Sequence, residues 1–184
     1  MGFWQTVKAD MKAATGHSRL GRLPTVFLFN PPFAAVFLHR VAAHLYRSRL
    51  RRLGIAIWGW NVTRTSCHIN LEAEIGPGLL LPHPAAIVIG SGVRIGTNVT
   101  IYQSVTLGRV ASSPIYPAVE DGAVLYTGAV VIGPVTIGRS ATIGASSVVI
   151  KDVPDGGVVV GNPGRVIRIA TPTDALTAQA AARP

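Results

Sequence analysis

One histidine in this chain stands where a side chain of that type is unexpected. His83 lies in the stretch LLLPHPAAIVIGSGVRIG, residues 79–96, between two prolines and among aliphatic residues and glycines. A neutral imidazole has an ordinary pKa near 6.5 and can accept a proton from a hydroxyl group at neutral pH. His83 is therefore a candidate general base, and the alternative is a histidine with a purely structural role.

The segment that carries His83 follows a period of six residues. Glycine directly follows the aliphatic residue in six of the units, which neither a helix nor a simple alternating strand explains. The period predicts a parallel β-helix, in which each unit forms a short strand and a corner and three units form one coil. The inward residues would stack at the spacing of paired strands, about 4.8 Å. They form three runs, with a two-residue slip before the second that falls in the unit of His83: Ile69, Ile75, Leu81, Ile87; Ile89, Ile95, Ile101, Leu107; Val119, Leu125, Val131, Ile137, Ile143, Val149.

The basic charge of the chain belongs to its N-terminal part. Of the formal charge of +9, residues 1–66 contribute all, with ten Lys or Arg and one acidic residue, while residues 67–184 hold seven of each. A nucleic-acid partner is not expected, because the larger part of the chain has no basic excess.

Two N-terminal helices are predicted. The first covers residues 1–16 and ends at Gly16, and the second begins with Asn30 as its cap and Pro31 at its first position. The second helix would pack through one face, with arginines on or near the other. It is either a helix packed on a partner element with solvated arginines, or a basic amphipathic helix on an anionic membrane surface. Its faces are Ala34, Phe37, Leu38, Val41, Ala42, Leu45 and Tyr46, and Arg40, His44, Arg47 and Arg51.

Location is indicated by cysteine content and hydropathy. Cys67 is the only cysteine, so an intrachain disulfide is excluded, which fits a reducing cytosol. The apolar run VFLFNPPFAAVFL is broken at residues 30–32 and is shorter than the roughly 20 residues that span a bilayer. No signal peptide is evident. We expect a cytoplasmic protein, with peripheral membrane contact through the basic helix as a further expectation.

Three motifs resemble one family. IGSGVRIGTNVTIYQSVTLGR, VVIGPVTIGRSATIGASSVVIKDVP and GNPGRVI are similar to the hexapeptide-repeat acyltransferases, and most to the serine acetyltransferases and related acetyltransferases of polysaccharide clusters. The resemblance covers about residues 67–169. It implies an all-β left-handed parallel β-helix that forms a homotrimer with active sites between subunits. It also implies acetyl-CoA as the donor and a hydroxyl of a small molecule as the acceptor.

The domains expected from this are three. Residues 1–66 form a short basic α-helical segment and residues 67–169 the β-helix acyltransferase domain. Residues 170–184 are predicted to be a flexible tail, because they lack an apolar period.

The resemblance also implies roles for single residues. His83 matches the family's general base, which takes the proton of the acceptor hydroxyl as its oxygen attacks the thioester carbonyl. Thr127 and Ala145, eighteen residues apart, match positions whose backbone meets the pantetheine arm, and Gly128 is small enough to permit that approach. The turn GNPGR resembles the turn near the CoA nucleotide, where Arg165 would meet a phosphate. The alternative for Arg165 is a solvated side chain.

Three positions depart from the serine acetyltransferases. The aspartate that precedes the catalytic histidine and helps to hold the amino-acid substrate is replaced by Pro82. The aspartate that orients the histidine is replaced by His68, and a second histidine, in the loop after VTLG, by Tyr116. Tyr116 is expected to shape the acceptor pocket.

These departures leave two questions open. His68 could hydrogen-bond to His83, or Glu72 or Glu74 from the same coil could replace the orienting carboxylate. The missing aspartate at Pro82 removes the natural partner of a substrate ammonium group. The acceptor is therefore either serine or a sugar or other polyol.

Two other functions compete with acetyl transfer. A non-catalytic trimeric scaffold would use the β-helix for assembly and the basic helix for docking. A zinc enzyme similar to the β-helix carbonic anhydrases would need three histidines. The β-helix region holds only His68 and His83 and no HxxxxH pair, so no metal is expected.

Overall fold

The computed structural model describes residues 2–170. The expected tail therefore lies, beyond Ala170, outside the described residues. Four helices come first: α1 (Phe3–Thr15), α2 (Leu23–Phe29) after a single 3₁₀ turn at Leu20–Arg22, α3 (Pro31–Tyr46) and α4 (Arg51–Thr65).

Fourteen short strands follow in the described part of the chain. They are β1 (His68–Ile69), β2 (Glu74–Ile75), β3 (Val88–Ile89), β4 (Arg94–Ile95), β5 (Thr100–Ile101), β6 (Thr106–Gly108), β7 (Ala118–Val119), β8 (Val124–Leu125), β9 (Val130–Ile132), β10 (Thr136–Ile137), β11 (Thr142–Ile143), β12 (Val148–Val149), β13 (Gly157–Val160) and β14 (Arg165–Ile169).

The strands form the three faces of a left-handed parallel β-helix of about five coils. The first face contains β1, β3, β6, β9 and β12, and the second face contains β2, β4, β7 and β10. The third face contains β5, β8, β11 and β13, and β14 adds to its end as an antiparallel strand. The predicted fold is confirmed.

The strand register shows where the coils are irregular. A regular coil has 18 residues, as from Val130 to its partner Val148. The first coil is longer by two, because His68 pairs with Val88 and Leu80 with Thr100. These two intervals share only residues 80–88, so the two additional residues lie in the segment of His83. A later coil is longer by six, and its added residues fall in the loop between β6 and β7.

The core follows the predicted period. Every residue predicted to point inward is buried except Ile75, which is partly buried. A second buried residue stands two positions before every one of them except Ile87, as Ala73, Val93 and Ala123 do, and the six-residue period did not predict it. These small or β-branched side chains fill the space between the large aliphatic ones.

The N-terminal helices form a cap on the first coil. As predicted, α1 ends at Gly16, whose φ of 74° is left-handed. Asn30 caps α3, with its Oδ1 accepting a hydrogen bond from the Phe33 N–H at 2.9 Å. Gly54 lets α4 approach α3, because a Cβ there would lie 2.6 Å from the Ala42 carbonyl oxygen.

Two arginines of the second predicted helix differ from expectation. Arg51 does not belong to α3, because the chain turns after Tyr46 and Arg51 begins α4. Arg40 is not solvated: it forms an ion pair with Asp10 of α1, and its guanidinium also donates to the carbonyls of Ile75 and Gly76.

Asp10 completes this contact between helices and β-helix. Its Oδ1 accepts hydrogen bonds from the N–H groups of Gly78 and Leu79, at 2.8 and 3.0 Å. Burial raises the pKa of Asp10, against the opposing effects of Arg40 and of these N–H groups. The pair thus fixes α1 and α3 to the turn that leads towards His83.

Along residues 2–170, no single helix combines the length and apolar character that a membrane crossing needs. The segment Leu20–Phe29 meets those criteria only together with α3, and this pair is bent by 113°.

Candidate active site

His83 stands at the corner between the third and the first face, in the two-residue enlargement of the first coil. The same corner position recurs in each later coil as Gln103, Thr127, Ala145 and Gly161, each two residues after an inward residue. We call this column the His83 corner. Because paired strands are about 4.8 Å apart, its five positions span about 19 Å.

Aromatic rings border the His83 corner on the third face. The exposed imidazole of His83 lies 6.1 Å from the ring of Tyr102, centroid to centroid. Tyr102 stacks in turn on Tyr126, at 5.0 Å and an interplanar angle of 16°. Burial, and then the neighbouring Tyr126, raise the pKa of Tyr102, so its hydroxyl stays protonated at neutral pH. The imidazole therefore has an apolar wall on one side.

The His83 corner also holds polar groups without partners. The side-chain oxygen of Gln103 is buried and accepts no hydrogen bond within the described residues. The backbone N–H groups of Thr127 and Ala145, one coil apart, donate none within residues 2–170. A buried polar atom left without a partner, such as the Gln103 oxygen, costs free energy, which favours a bound partner at this place. The two N–H groups lie one coil apart, so an extended ligand running along the corner could accept a hydrogen bond from each.

The top of the corner is a turn that leads into β14. The chain passes from Val160 through Gly161 and Gly164 to Arg165, which pairs with Val160 in the antiparallel ladder. Arg165 is exposed and makes no ion pair among the described residues. Arg165 therefore lies at the far end of the column from His83, and a guanidinium is a group that binds phosphate. Gly128 has φ of 69°, a conformation that favours glycine.

Tyr116 and Glu72 lie at another corner of the same protomer. Tyr116 covers the corner between the first and second faces, where Cβ atoms on Gly90 and Gly92 would touch its ring. The Ser91 hydroxyl donates to the Tyr116 hydroxyl at 3.3 Å. This hydrogen bond, and then Arg109, lower the pKa of Tyr116.

Glu72 lies at this same corner between the first and second faces, one coil before Gly90 and Gly92. Its carboxylate accepts a hydrogen bond from the Tyr46 hydroxyl at 2.9 Å, which ties the corner to α3. Within one protomer, the width of the first face separates Glu72 and Tyr116 from His83.

His68 lies on the first face, at the start of β1. Its ring makes an edge contact with Trp58 of α4, at 6.2 Å. No hydrogen bond joins His68 to His83 in the part of the chain that the structure describes. Pro82 directly precedes His83 on the third face, and it takes the place that Tyr102 and Tyr126 occupy in later coils.

Acidic groups are absent from the His83 corner among residues 67–170. The carboxylates of this region all belong to the second face or to its two corners: Glu72, Glu74, Glu120, Asp121, Asp152 and Asp155. Within residues 2–170, no three His, Cys, Asp or Glu side chains cluster so as to hold a metal ion.

One residue of the His83 corner and two residues beside it were not predicted from the sequence. Tyr102 and Tyr126 both directly follow inward residues, and Gln103 shares the position of His83 within its six-residue unit. Gln103 could have been predicted as a site residue from this shared position. The stacking of the tyrosines depends on the coil with six added residues, which the period alone does not align.

Comparison with known proteins agrees with this geometry. No protein-family model matches the sequence. The serine acetyltransferase of Bacillus pumilus is 42% identical over 135 residues, which are 72% of this chain and 62% of that protein. The serine acetyltransferase of Mycobacterium tuberculosis is 37% identical over 171 residues, 91% of this chain and 74% of that protein. This chain belongs to the serine acetyltransferase family.

Solved structures of the family match the fold of the chain. The serine acetyltransferase of Neisseria gonorrhoeae in complex with serine has a TM-score of 0.78 at 29% identity, over 90% of this chain and 69% of that one. A serine acetyltransferase in complex with CoA has a TM-score of 0.76 at 27% identity, over 89% and 68%. The chain spans only 62% of the length of the Bacillus relative, so the activity of the whole relative does not transfer directly.

Proposed function

We propose that this serine acetyltransferase family member is an acetyl-CoA-dependent O-acetyltransferase with His83 as its general base. The observation that supports it most is the His83 corner, where an exposed imidazole, an unpaired amide oxygen and two unpaired backbone N–H groups follow one another. Arg165 closes the column at the distance of a long, phosphate-bearing ligand. The relatives named above support both the donor and the reaction class.

The chemistry follows from the position of the imidazole. Neutral His83 accepts the proton of the acceptor hydroxyl while the hydroxyl oxygen bonds to the thioester carbonyl carbon. The carbon–sulfur bond of the tetrahedral intermediate then breaks, and the imidazolium returns the proton to the CoA sulfur. The donor is held with its pantetheine arm along Thr127, Gly128 and Ala145 and a phosphate at Arg165. Backbone N–H groups beside the site stabilise the oxyanion.

Serine is the first candidate acceptor. The Neisseria relative binds serine, and the named relatives are serine acetyltransferases. A sugar or other polyol is the second candidate. It is favoured by the lack of a carboxylate at the His83 corner among residues 67–170, because a substrate ammonium group would find no partner there in the same protomer. Pro82 would then contribute an apolar contact where an amino-acid acceptor needs a charge.

A homotrimer would complete the site. Glu72 and Tyr116 lie across the first face from His83 in one protomer, so they reach an acceptor only if a neighbouring subunit presents its second corner to the His83 corner. His68, on the face between the two corners, would then line the boundary. This proposal predicts that trimer dissociation abolishes activity.

A cytoplasmic location with peripheral membrane contact is also proposed. The basic N-terminal helices expose Leu28, Phe29 and Trp60, and Arg64 lies over the ring of Trp60 at 4.9 Å. Aromatic and basic side chains together favour binding to an anionic surface.

The test is an acetyl-CoA consumption assay with serine and a panel of sugars. His83→Ala should lower kcat by about 10²–10⁴-fold, the usual contribution of a general base. His17→Ala, which removes another exposed histidine, is the matched control and should change little. Ala145→Trp should raise the KM for acetyl-CoA, because a bulky side chain would block the donor column.

The outcomes separate the competing functions. No acetyl-CoA consumption with any acceptor would favour the scaffold. Consumption that His83→Ala leaves unchanged would refute the assignment of the base. Stoichiometric zinc in metal analysis of the purified protein would favour the zinc enzyme.

A further inference from the structure

A cavity that includes none of the residues of the His83 corner lies between α1, α3 and the first coil. Its volume is about 410 Å³, and Phe3 and Thr6 of α1, Ala73 and Ile75 of the first coil, and several residues of α3 form its wall. A volume of this order is enough for a small ligand. We call it the His39 cavity.

His39 is the unusual residue of this cavity. It is 3% exposed, and its Nδ1 has no hydrogen-bond partner within the described residues. Most buried polar side-chain atoms in proteins have a partner, so an unpaired one calls for an explanation. The proposed acetyl transfer does not use His39.

The charge of the cavity is positive. Arg40 and Arg47 line it together with His44, whereas no acidic residue does. The charge of Arg40 is matched by the carboxylate of Asp10. Arg47 donates only to the carbonyls of the first coil, at 3.2 and 3.4 Å, and forms no ion pair among residues 2–170. Among the described residues, the exposed guanidinium of Arg47 therefore has no counter-charge.

We propose that the His39 cavity binds a small oxyanion, with Arg47 as its charged partner and His39 as a hydrogen-bond donor. An oxyanion accepts charge-assisted hydrogen bonds from a guanidinium and has further oxygens for a ring N–H. Thr6 and His44 supply additional donors at the edge of the cavity. The ligand would connect α1, α3 and the first coil.

The titration of His39 agrees with this arrangement. Burial, and then the charges of Arg40 and Arg47, lower the pKa of His39 to about 3. The groups facing it are these arginines and His44 on α3, with Thr6 and the paired Asp10 on α1. The first coil contributes no titratable side chain to the cavity wall. An anion placed among these groups offsets the repulsion and raises the pKa of His39.

The test measures anion binding and is independent of acetyl transfer. Sulfate and acetate are titrated separately into the full chain, with chloride at equal ionic strength as the reference, and binding is followed by calorimetry. The ¹³Cε1 NMR signal of His39, assigned with His39→Gln, reports its protonation. We expect saturable binding and a raised pKa of His39. The anion that binds more tightly shows whether the ligand is an inorganic oxyanion or a carboxylate.

Arg47→Gln should weaken this binding by about tenfold or more, because a charged hydrogen bond is lost. Arg52→Gln removes the same charge from an exposed position of α4 and should bind as the unsubstituted protein does. If Arg47→Gln fails to fold, Arg47→Lys replaces it, and weaker binding by Arg47→Lys supports the site equally. Equal weakening by Arg47→Gln and Arg52→Gln, or no binding of either anion to the unsubstituted protein, would overturn the proposal.

Discussion

Mild acid should destabilise this protein through His39. The pKa of the ring is near 6.5 in an unfolded chain and about 3 in the folded protein, so the unfolded state binds the additional proton. The stabilising effect of a neutral His39 is complete above about pH 6.5 and is lost as the pH falls towards 3. Between about pH 7.5 and 5, linkage gives a loss of about 2 kcal/mol in the free energy of unfolding.

Urea unfolding at a series of pH values measures this loss. The buffer should contain no sulfate, phosphate or carboxylate, so that the proposed ligand of the His39 cavity is absent. His39→Gln should flatten the pH dependence, whereas His17→Gln, which removes an exposed histidine, should retain it. The pKa of Asp121 is lowered by its hydrogen bond with Thr97, so it titrates below this window. A His39→Gln protein that loses as much stability as the unsubstituted one would refute the reasoning.

Three further predictions concern packing and local electrostatics. Gly54→Ala should destabilise the protein by about 1–3 kcal/mol, because the added methyl group overpacks α3 against α4. Gly59→Ala in the same helix meets nothing within 4 Å and should stabilise the protein by about 1 kcal/mol. Thermal unfolding of the two variants checks this, and equal effects would contradict it. Asp10→Ala should cost about 3–5 kcal/mol, because it leaves the charge of a buried ion pair uncompensated, and a loss below about 1 kcal/mol in urea would disprove that. Ser91→Ala should raise the pKa of Tyr116, seen in phenolate absorbance against a Tyr116→Phe reference, and an unchanged titration would exclude the hydrogen bond as the cause.

The β-helix was predictable because its signal is repeated. Each six-residue unit offers an independent observation of the same inward position, so Ile69 and Val149 support one another across the whole domain. The two-residue slip was also visible, and the register confirms that it falls beside His83. Ile75 is the exception to burial, and its side chain lines the His39 cavity.

The helical segment was less predictable, because its contacts join residues far apart in sequence. Nothing local to Arg40 shows that Asp10, thirty residues earlier, will neutralise it. The sequence therefore suggested a solvated arginine, and the same reasoning placed Arg51 on the wrong helix. The end of α3 at Tyr46 carries no glycine or proline that would mark it.

The positions of the site residues within their coils could be predicted from the sequence, but the contacts of their side chains could not. The place of His83 and of Thr127 within their coils follows from counting. Which groups approach an imidazole depends on loops of irregular length, as the placement of Tyr116 beyond the first face illustrates. Its role stays a prediction that a trimer would test.

The length of the His83 corner along the β-helix can change only by whole coils. The His83 corner runs over four rungs from His83 to Gly161, with Arg165 on the strand added beyond them, and an insertion or loss of eighteen residues would change this length by one rung of about 4.8 Å. The length of donor that fits such a scaffold therefore changes only in steps of one coil. Substitutions along the His83 corner change how strongly the donor binds and leave this length unchanged.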